Sequence, residues 1–503
     1  MAGNVILLSN EVYFDFSNAL INIEKIEEYQ GILEKAMKDL ADLESGEIVN
    51  TDEERMVGHY WLRDPELAPT GEIEKNIKEE VVKVNEFCKE NRHFNGMIYL
   101  GMGGSALGPQ LIGRVFKDES SKDFRVIDNT DPETFWQLTR ELGDSLKDYL
   151  IVSVSKSGGT RETDNLLNEF KAYFRGKKWD FSSNAICITT PGSKLEEKAV
   201  SEKWLKVFYI WDWVGGRTSI ASAVGLLPLV FLGKNSNDFL EGLKSADKSG
   251  RRRAYHNPGI LMALELFQNK LIHEKRQLVV LPYKDKLELF PKYLQQLIME
   301  SLGKTGEGIA VYGNKGSSDQ HSYIQQLMEG PDNFTVNFIN VRKYSQISQP
   351  LPNGNHTGDY LFAFQLGTSN ALAEEGRKSI TISLPELNEF YLGFLIGLYE
   401  RITGFYASFA GINAYNQPAV EKGKAASERM MLYKNKVIEF LKSEPEKEFT
   451  SDEIAGILKI KKEDAFAIFE HLSSSGLYPV ERIKEEEDCS YLSVKYKYLP
   501  QTL

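Results

Sequence analysis

Three cysteines are scattered through the 503 residues, and Cys88, Cys187 and Cys489 form no C-x-x-C pair. Two of them lie in apolar settings, which suits buried free thiols in a reducing compartment. H-x-x-x-H is missing as well, so no His/Cys/carboxylate cluster has metal-ligand spacing. No uninterrupted apolar run reaches membrane-spanning length, and MAGNVILLSNEVYFDF has no basic segment ahead of a long apolar core. The chain reads as soluble and cytoplasmic. Low-complexity tracts are absent. Net charge is -12, which argues against general affinity for nucleic acid or anionic membrane but leaves room for a local cationic pocket. With 42% hydrophobic and 26% charged residues, the composition is that of a globular protein long enough for two or three domains.

What is present centres on Asp148–Phe170, DYLIVSVSKSGGTRETDNLLNEF. Tyr149 to Val154 is apolar and β-branched, and reads as a buried strand. Ser155-Lys156-Ser157-Gly158-Gly159-Thr160 follows as a hydroxyl-rich loop. Behind it Leu166, Leu167, Phe170 and Phe174 recur at helical spacing. A strand, such a turn and a helix N-terminus together make an anion site, because the free N–H groups of the first helical turn point outward at the positive end of the dipole. Ser155, Ser157, Thr160 and Thr163 each carry a hydroxyl donor, and glycine lets backbone approach a ligand closely. An ordinary turn with Ser and Thr caps would use the same residue types. The G-x-x-x-x-G-K-[ST] order of a P-loop is not there.

Taken in order, residues 1–60 read as a helical N-terminal arm, on the periodicity of Ile23 to Leu43. Glu72 to Glu90 is a second amphipathic helix. Gly96 to Leu100 is a strand running into Gly101-Met102-Gly103-Gly104-Ser105, a second glycine-rich turn with a helix from about Ser105. Phe124 to Ile127 and Ala185 to Thr189 are further strands. Strands alternating with helices predict a parallel sheet with crossovers, and ligands of such sheets sit beyond the carboxyl ends of the strands. Leu278 to Leu281, Ile309 to Tyr312 and Thr335 to Val341 repeat the pattern. The expected class is α/β, with parallel-sheet domains over 61–247 and 248–430. The basic triplet Arg251-Arg252-Arg253 between them reads as a solvated face. Residues 431–503 differ: helices over Lys434–Leu441, Ser451–Leu458 and Lys462–Ser473 precede strands Val480–Ile483 and Tyr491–Tyr496 around an acidic turn, Glu485 to Asp488. This predicts a small α+β, winged-helix-like appendage, whose acidic excess favours a packing or partner role over DNA binding.

Four further places carry chemistry. Arg217 follows Gly215-Gly216, and a permanently charged guanidinium held by such a turn stabilises an oxyanion; a surface Arg is the plain alternative. Glu300 ends a helix over 291–302 with Leu294, Leu297, Ile298 and Leu302 as its buried stripe. The negative end of the dipole there favours a carboxylate acting as general base. His321 begins a helix, where a neutral ring able to move protons is favoured. Gln417 and Lys424, seven residues apart, share a face if the chain is helical after Pro418.

GMGGSALGP, SVSKSGGTRET, VGGRTSIASAVG, MESLGK, GSSDQHSY, HTGDYLFAFQLGT and YNQPAVEKGK follow one another from about His59 to Lys424. Together they closely resemble the glucose-6-phosphate isomerase (phosphoglucose isomerase) family. The resemblance implies two three-layer sugar-isomerase (SIS-type) domains, a homodimer, and no metal or cofactor. It implies that Ser155, Lys156, Ser157, Thr160 and Thr163 bind the phosphate of glucose 6-phosphate or fructose 6-phosphate, and that Gly104 and Ser105 line the sugar site. Glu300 would shuttle the proton between C2 and C1, and Arg217 would stabilise the enediolate. His321, supplied across the dimer interface, and Lys424 would assist ring opening, while Gln417 orients the substrate. The chain departs from the family pattern at Thr218, where an aromatic residue usually follows G-G-R, at Ala419 in place of Gly, and at Gly158-Gly159, all of which bear on substrate fit. A sugar-phosphate sensor without catalysis, or an isomerase also using mannose 6-phosphate, are the competing readings.

Overall fold

The computed structural model describes residues 6–118, 122–346, 348–483 and 494–499. Residues 1–416 make one compact unit and 417–503 a second.

The first unit holds two sheets. In the first, five parallel strands lie in the spatial order Asp123–Ile127, Gly96–Leu100, Tyr149–Val154, Ala185–Thr189, Lys206–Tyr209. Its middle strands are buried along their whole length, which is why they read as continuous apolar runs. Successive side chains enter opposite layers: Met97, Tyr99, Leu150 and Val152 join one core, while Ile98, Leu100 and Ile151 join another with Phe135, Leu167 and Phe170. Strand order reverses between Gly96–Leu100 and Tyr149–Val154. A crevice opens at such a reversal, and both glycine-rich turns leave the sheet there.

In the second sheet Ser379–Leu384, Phe334–Val341, Gln277–Pro282 and Ala310–Tyr312 run parallel, in that order. An antiparallel hairpin, Ile6–Ser9 with Val12–Asp15, extends its edge. The N-terminal stretch is therefore not helical throughout, as the periodicity of 23–43 suggested. Asn10 and Glu11 both take positive φ, 52° and 62°, the two-residue turn that matches strand twist. Val12 and Phe14 then bury and Tyr13 stays out. Helix begins beyond it, with Gln30–Ser45 as its regular part.

A buried charge network joins the helices Ser236–Gly250 and Glu389–Ala410. Arg63 donates from Nε and Nη2 to the Asp247 carboxylate at 2.7 and 2.8 Å and pairs with Glu400. Arg401 reaches Asp247 at 2.7 Å and pairs with Glu44. Arg251 completes it on Glu44 at 2.9 and 3.0 Å, so of the basic triplet only Arg252 and Arg253 are solvated.

In the second unit, Phe449–Thr450, Lys495–Tyr498 and Val480–Ile483 form an antiparallel sheet in that order. Helices Ser451–Leu458 and Lys462–Ser474 and the far end of Val420–Ser443 cover it through Val437, Leu441, Ile454, Phe469 and Tyr496. That is the expected three helices and hairpin, with a first helix that starts well ahead of Lys434. The acidic turn and Cys489 lie outside the described residues. Cys88 and Cys187 are buried free thiols, pushed up to about 12 by burial. Among the described residues no helix is long and apolar enough to cross a membrane.

Candidate active site

The turn after strand Gly96–Leu100 meets the Gly215-Gly216-Arg217 turn backbone to backbone. A Cβ on Gly104 would stand 2.0 Å from the Gly216 carbonyl oxygen, so only glycine allows this approach. Ser105, one residue into the helix Gly104–Phe116, is half-buried beside it.

The hydroxyl-rich loop closes on itself. Ser155 Oγ lies 2.9 Å from Thr160 Oγ1, and Ser157 Oγ accepts from the Gly159 N–H at 3.3 Å. Thr160 stands at the N-cap of the helix Arg161–Lys177, yet its hydroxyl is engaged with Ser155 and makes no cap bond. The turn is thus not capped by its own N-cap side chain: Thr160 makes no cap bond, and the helix N-terminus lies beside the exposed Ser157. Thr163 lies elsewhere, 2% exposed, with a buried hydroxyl that has no partner among the described residues. The Lys156 ammonium donates to the carbonyls of Asp212 and Val214, both at 2.7 Å. Burial and the neighbouring Arg55 bring its pKa down to about 8.

Arg217 is a buried residue, not a surface one. Its Nε donates to Ser301 Oγ at 2.8 Å, and Nη2 to the carbonyls of Ala414 and Asn416 at 2.7 and 2.8 Å. Its Nη1 stands 3.4 Å from Glu300 Oε1. Burial pushes the guanidinium's pKa down and Glu300 opposes the shift. The residue after it, Thr218, is buried and donates to the Gly215 carbonyl at 3.2 Å, which fastens the turn from within.

Glu300 is carried on a helix that is not regular. Phe290–Leu294 is α-helical, but Gln295–Glu300 widens into a π turn, a feature frequent at functional sites. Leu294, Leu297, Ile298 and Leu302 are buried as the stripe predicts, so the carboxylate is presented from a packed support. Gln296, four residues earlier, went unnoticed in the sequence. Its amide would lie 3.0 Å from a Cβ on Gly103, so it faces the glycine-rich turn. The signal available was its i−4 spacing from Glu300.

His321 is exposed and ends the short turn Ser318–His321; the regular helix starts later, at Ile324. No hydrogen bond or ion pair among the described residues joins it to Glu300 or Arg217. Gln417 and Lys424 belong to the second unit. Lys424 is exposed on Val420–Ser443, whereas Gln417 precedes that helix, so the shared-face expectation does not hold. Pro418 keeps the residue before it out of the helical region.

Residues 15–374 match the family model described as phosphoglucose isomerase. The glucose-6-phosphate isomerase of Desulfitobacterium hafniense (strain DSM 10664 / DCB-2) is 43% identical over 488 residues, covering 92% of each chain. That of Thermosynechococcus vestitus is 40% identical over 92% of each. Among solved structures, a glucose-6-phosphate isomerase from Chlamydia trachomatis superposes with a TM-score of 0.77 at 25% identity, over 85% of this chain and 89% of that one. With a family model spanning most of the first unit and relatives of this identity matched almost end to end, the chain belongs to the phosphoglucose isomerase family.

Proposed function

We propose that the protein interconverts glucose 6-phosphate and fructose 6-phosphate, a step of glycolysis and gluconeogenesis, through an enediolate. The observation that carries this is the juxtaposition of an anion-binding turn, a clamped Arg217 and the Glu300 carboxylate within one unit. The 155–160 loop holds the phosphate, whose binding energy positions the open-chain sugar at the reacting carbons. Glu300 takes the proton from one carbon and returns it to the other. Arg217, kept charged by its chemistry and fixed by hydrogen bonds to Ser301 and to the carbonyls of Ala414 and Asn416, meets the oxyanion that develops.

His321 and Lys424 open the ring and Gln417 orients the substrate in this scheme. A homodimer that brings His321 to a neighbouring subunit's site fits its exposure. The Gln320 side chain donates to the Phe364 carbonyl at 3.2 Å, tying the His321 turn to the helix Thr357–Glu374. That helix leaves Phe362, Phe364 and Leu366 between 45% and 51% exposed, an apolar surface suited to burial against a second copy.

A sensor needs the anchor but not a base and an oxyanion clamp, which disfavours that reading. A coupled assay with fructose, glucose and mannose 6-phosphates tests the proposal. Turnover of the first two is expected, and no turnover of either would overturn it.

A further inference from the structure

We infer that Lys156 is a positioning residue, whose side chain ties the phosphate loop to the backbone presenting Arg217, so that occupancy of the loop sets the placement of the guanidinium. The identity of the ligand rests on the isomerase reading above; the mechanical tie rests on the following contacts.

Both ends of the tie are fixed. The Lys156 carbonyl accepts from the Thr190 N–H at 3.2 Å and its neighbour Ser155 donates to the Ile188 carbonyl at 3.1 Å, so the loop end is bonded to the adjacent strand. At the other end the ammonium takes the Asp212 and Val214 carbonyls. Arg55 also donates to the Asp212 carbonyl, at 3.0 Å, and the Gly58 N–H takes the intervening Trp213 carbonyl at 3.0 Å. Val214 is followed by Gly215-Gly216, which have no side chains to hold them, and then by Arg217. An ammonium has three donors. Two are committed to this segment, more than a lysine devoted to phosphate alone would give up. Displacement of a catalytic group by about 1 Å costs on the order of 10²-fold in rate, so a tie of this kind bears on kcat.

Protonation adds a second handle. Arg55, Asp212 and Glu53 are the charged groups facing Lys156. Its pKa of about 8 means that the charge gripping both carbonyls is present below that pH and lost as pH rises through it.

Lys156→Met and Lys156→Arg test the assignment, with fructose 6-phosphate as substrate and inorganic phosphate as inhibitor. For Lys156→Met, kcat should fall about 10²-fold while the inhibition constant of phosphate moves less than about threefold. The wild type should show an alkaline fall in kcat near pH 8, and Lys156→Arg should move that limb upward because its guanidinium stays charged. Trp211 and Trp213, stacked with ring centroids 5.1 Å apart, flank Asp212 and give a readout independent of turnover. Phosphate should change the tryptophan fluorescence of the wild type and leave that of Lys156→Met unchanged. Weakened phosphate inhibition with normal kcat would make Lys156 a direct ligand and overturn the tie; so would a phosphate-insensitive wild-type fluorescence. If the wild type lacks isomerase activity, the functional reading falls, and the fluorescence comparison still decides the tie.

Discussion

The Arg217 guanidinium and the Glu300 carboxylate stand 3.4 Å apart, near enough to attract yet beyond the length of a good hydrogen bond. Ser301, Ala414 and Asn416 hold the rest of the guanidinium. Glu300 is held more loosely than these three partners, which leaves its oxygens available to a substrate.

Glu300→Gln keeps the shape of that side chain and removes the proposed base. Its kcat should fall by about 10²–10⁴, with substrate affinity little changed because no residue of the phosphate loop is touched. Anomer exchange of glucose 6-phosphate should persist, since ring opening is assigned to other groups. Following isomerisation and anomerisation together by NMR checks both; near-normal isomerisation would move the search to another carboxylate.

Thr160→Val tests the anchor. Thr160 shares its hydroxyl with Ser155 at 2.9 Å, so the change removes a donor while keeping volume. A loss of about 1–3 kcal/mol in kcat/KM is expected for fructose 6-phosphate, and almost none for the unphosphorylated sugar. Equal losses for the two would place the phosphate elsewhere.

The first sheet was legible because its strands are buried on both sides, so that Tyr149–Val154 and Ala185–Thr189 read as unbroken apolar runs. Lys206–Tyr209, four residues at a sheet edge with a charged start, gave no such run. The hairpin at 6–15 was hidden because its turn is Asn10-Glu11, not the Asn-Gly that usually marks a two-residue loop. Arg217 and Glu300 stood out as residue types beside glycines. The destination of Lys156 did not, since its partners are the carbonyls of Asp212 and Val214, and a backbone acceptor leaves no trace in the sequence. The π turn ahead of Glu300 is likewise invisible to a helical pattern that keeps its apolar stripe.

The buried network predicts acid sensitivity. Burial raises the Asp247 pKa, but Arg401 and Arg63 outweigh it and bring it from 3.8 down to about 2. A carboxylate with a depressed folded-state pKa stabilises the protein fully above its unfolded value and loses that contribution as pH falls towards the folded one. About 2 kcal/mol should therefore disappear between roughly pH 4 and pH 2. Asp247→Asn, which takes the shared carboxylate from two buried guanidiniums and leaves each with one acidic partner, should cost about 3–5 kcal/mol at neutral pH and flatten that acid limb. Urea melts across pH check both, and an unchanged limb in the variant would assign the sensitivity to other carboxylates.

The second unit should melt separately when its own core is cut. Phe469 is fully buried and stacks on Tyr496 with ring centroids 4.4 Å apart and planes 5° from parallel. Val437 and Leu441, from the helix that also bears Lys424, belong to the same cluster. Phe469→Ala should cost that cluster about 3–5 kcal/mol, a large share of the stability of so small a unit. Calorimetry should then show a new transition below that of the first unit. The start of the helix Val420–Ser443 is mostly exposed within its own unit, and an isolated helix of this length is marginal in water. Once the cluster melts, the segment carrying Lys424 should lose its order too. If Lys424 assists ring opening, anomer exchange of glucose 6-phosphate should drop across the first transition, while the near-ultraviolet dichroism of the first unit, which carries all six tryptophans, holds to the second. A single cooperative transition in Phe469→Ala, with anomerisation lost only at unfolding of the whole chain, would show that the two units do not melt independently.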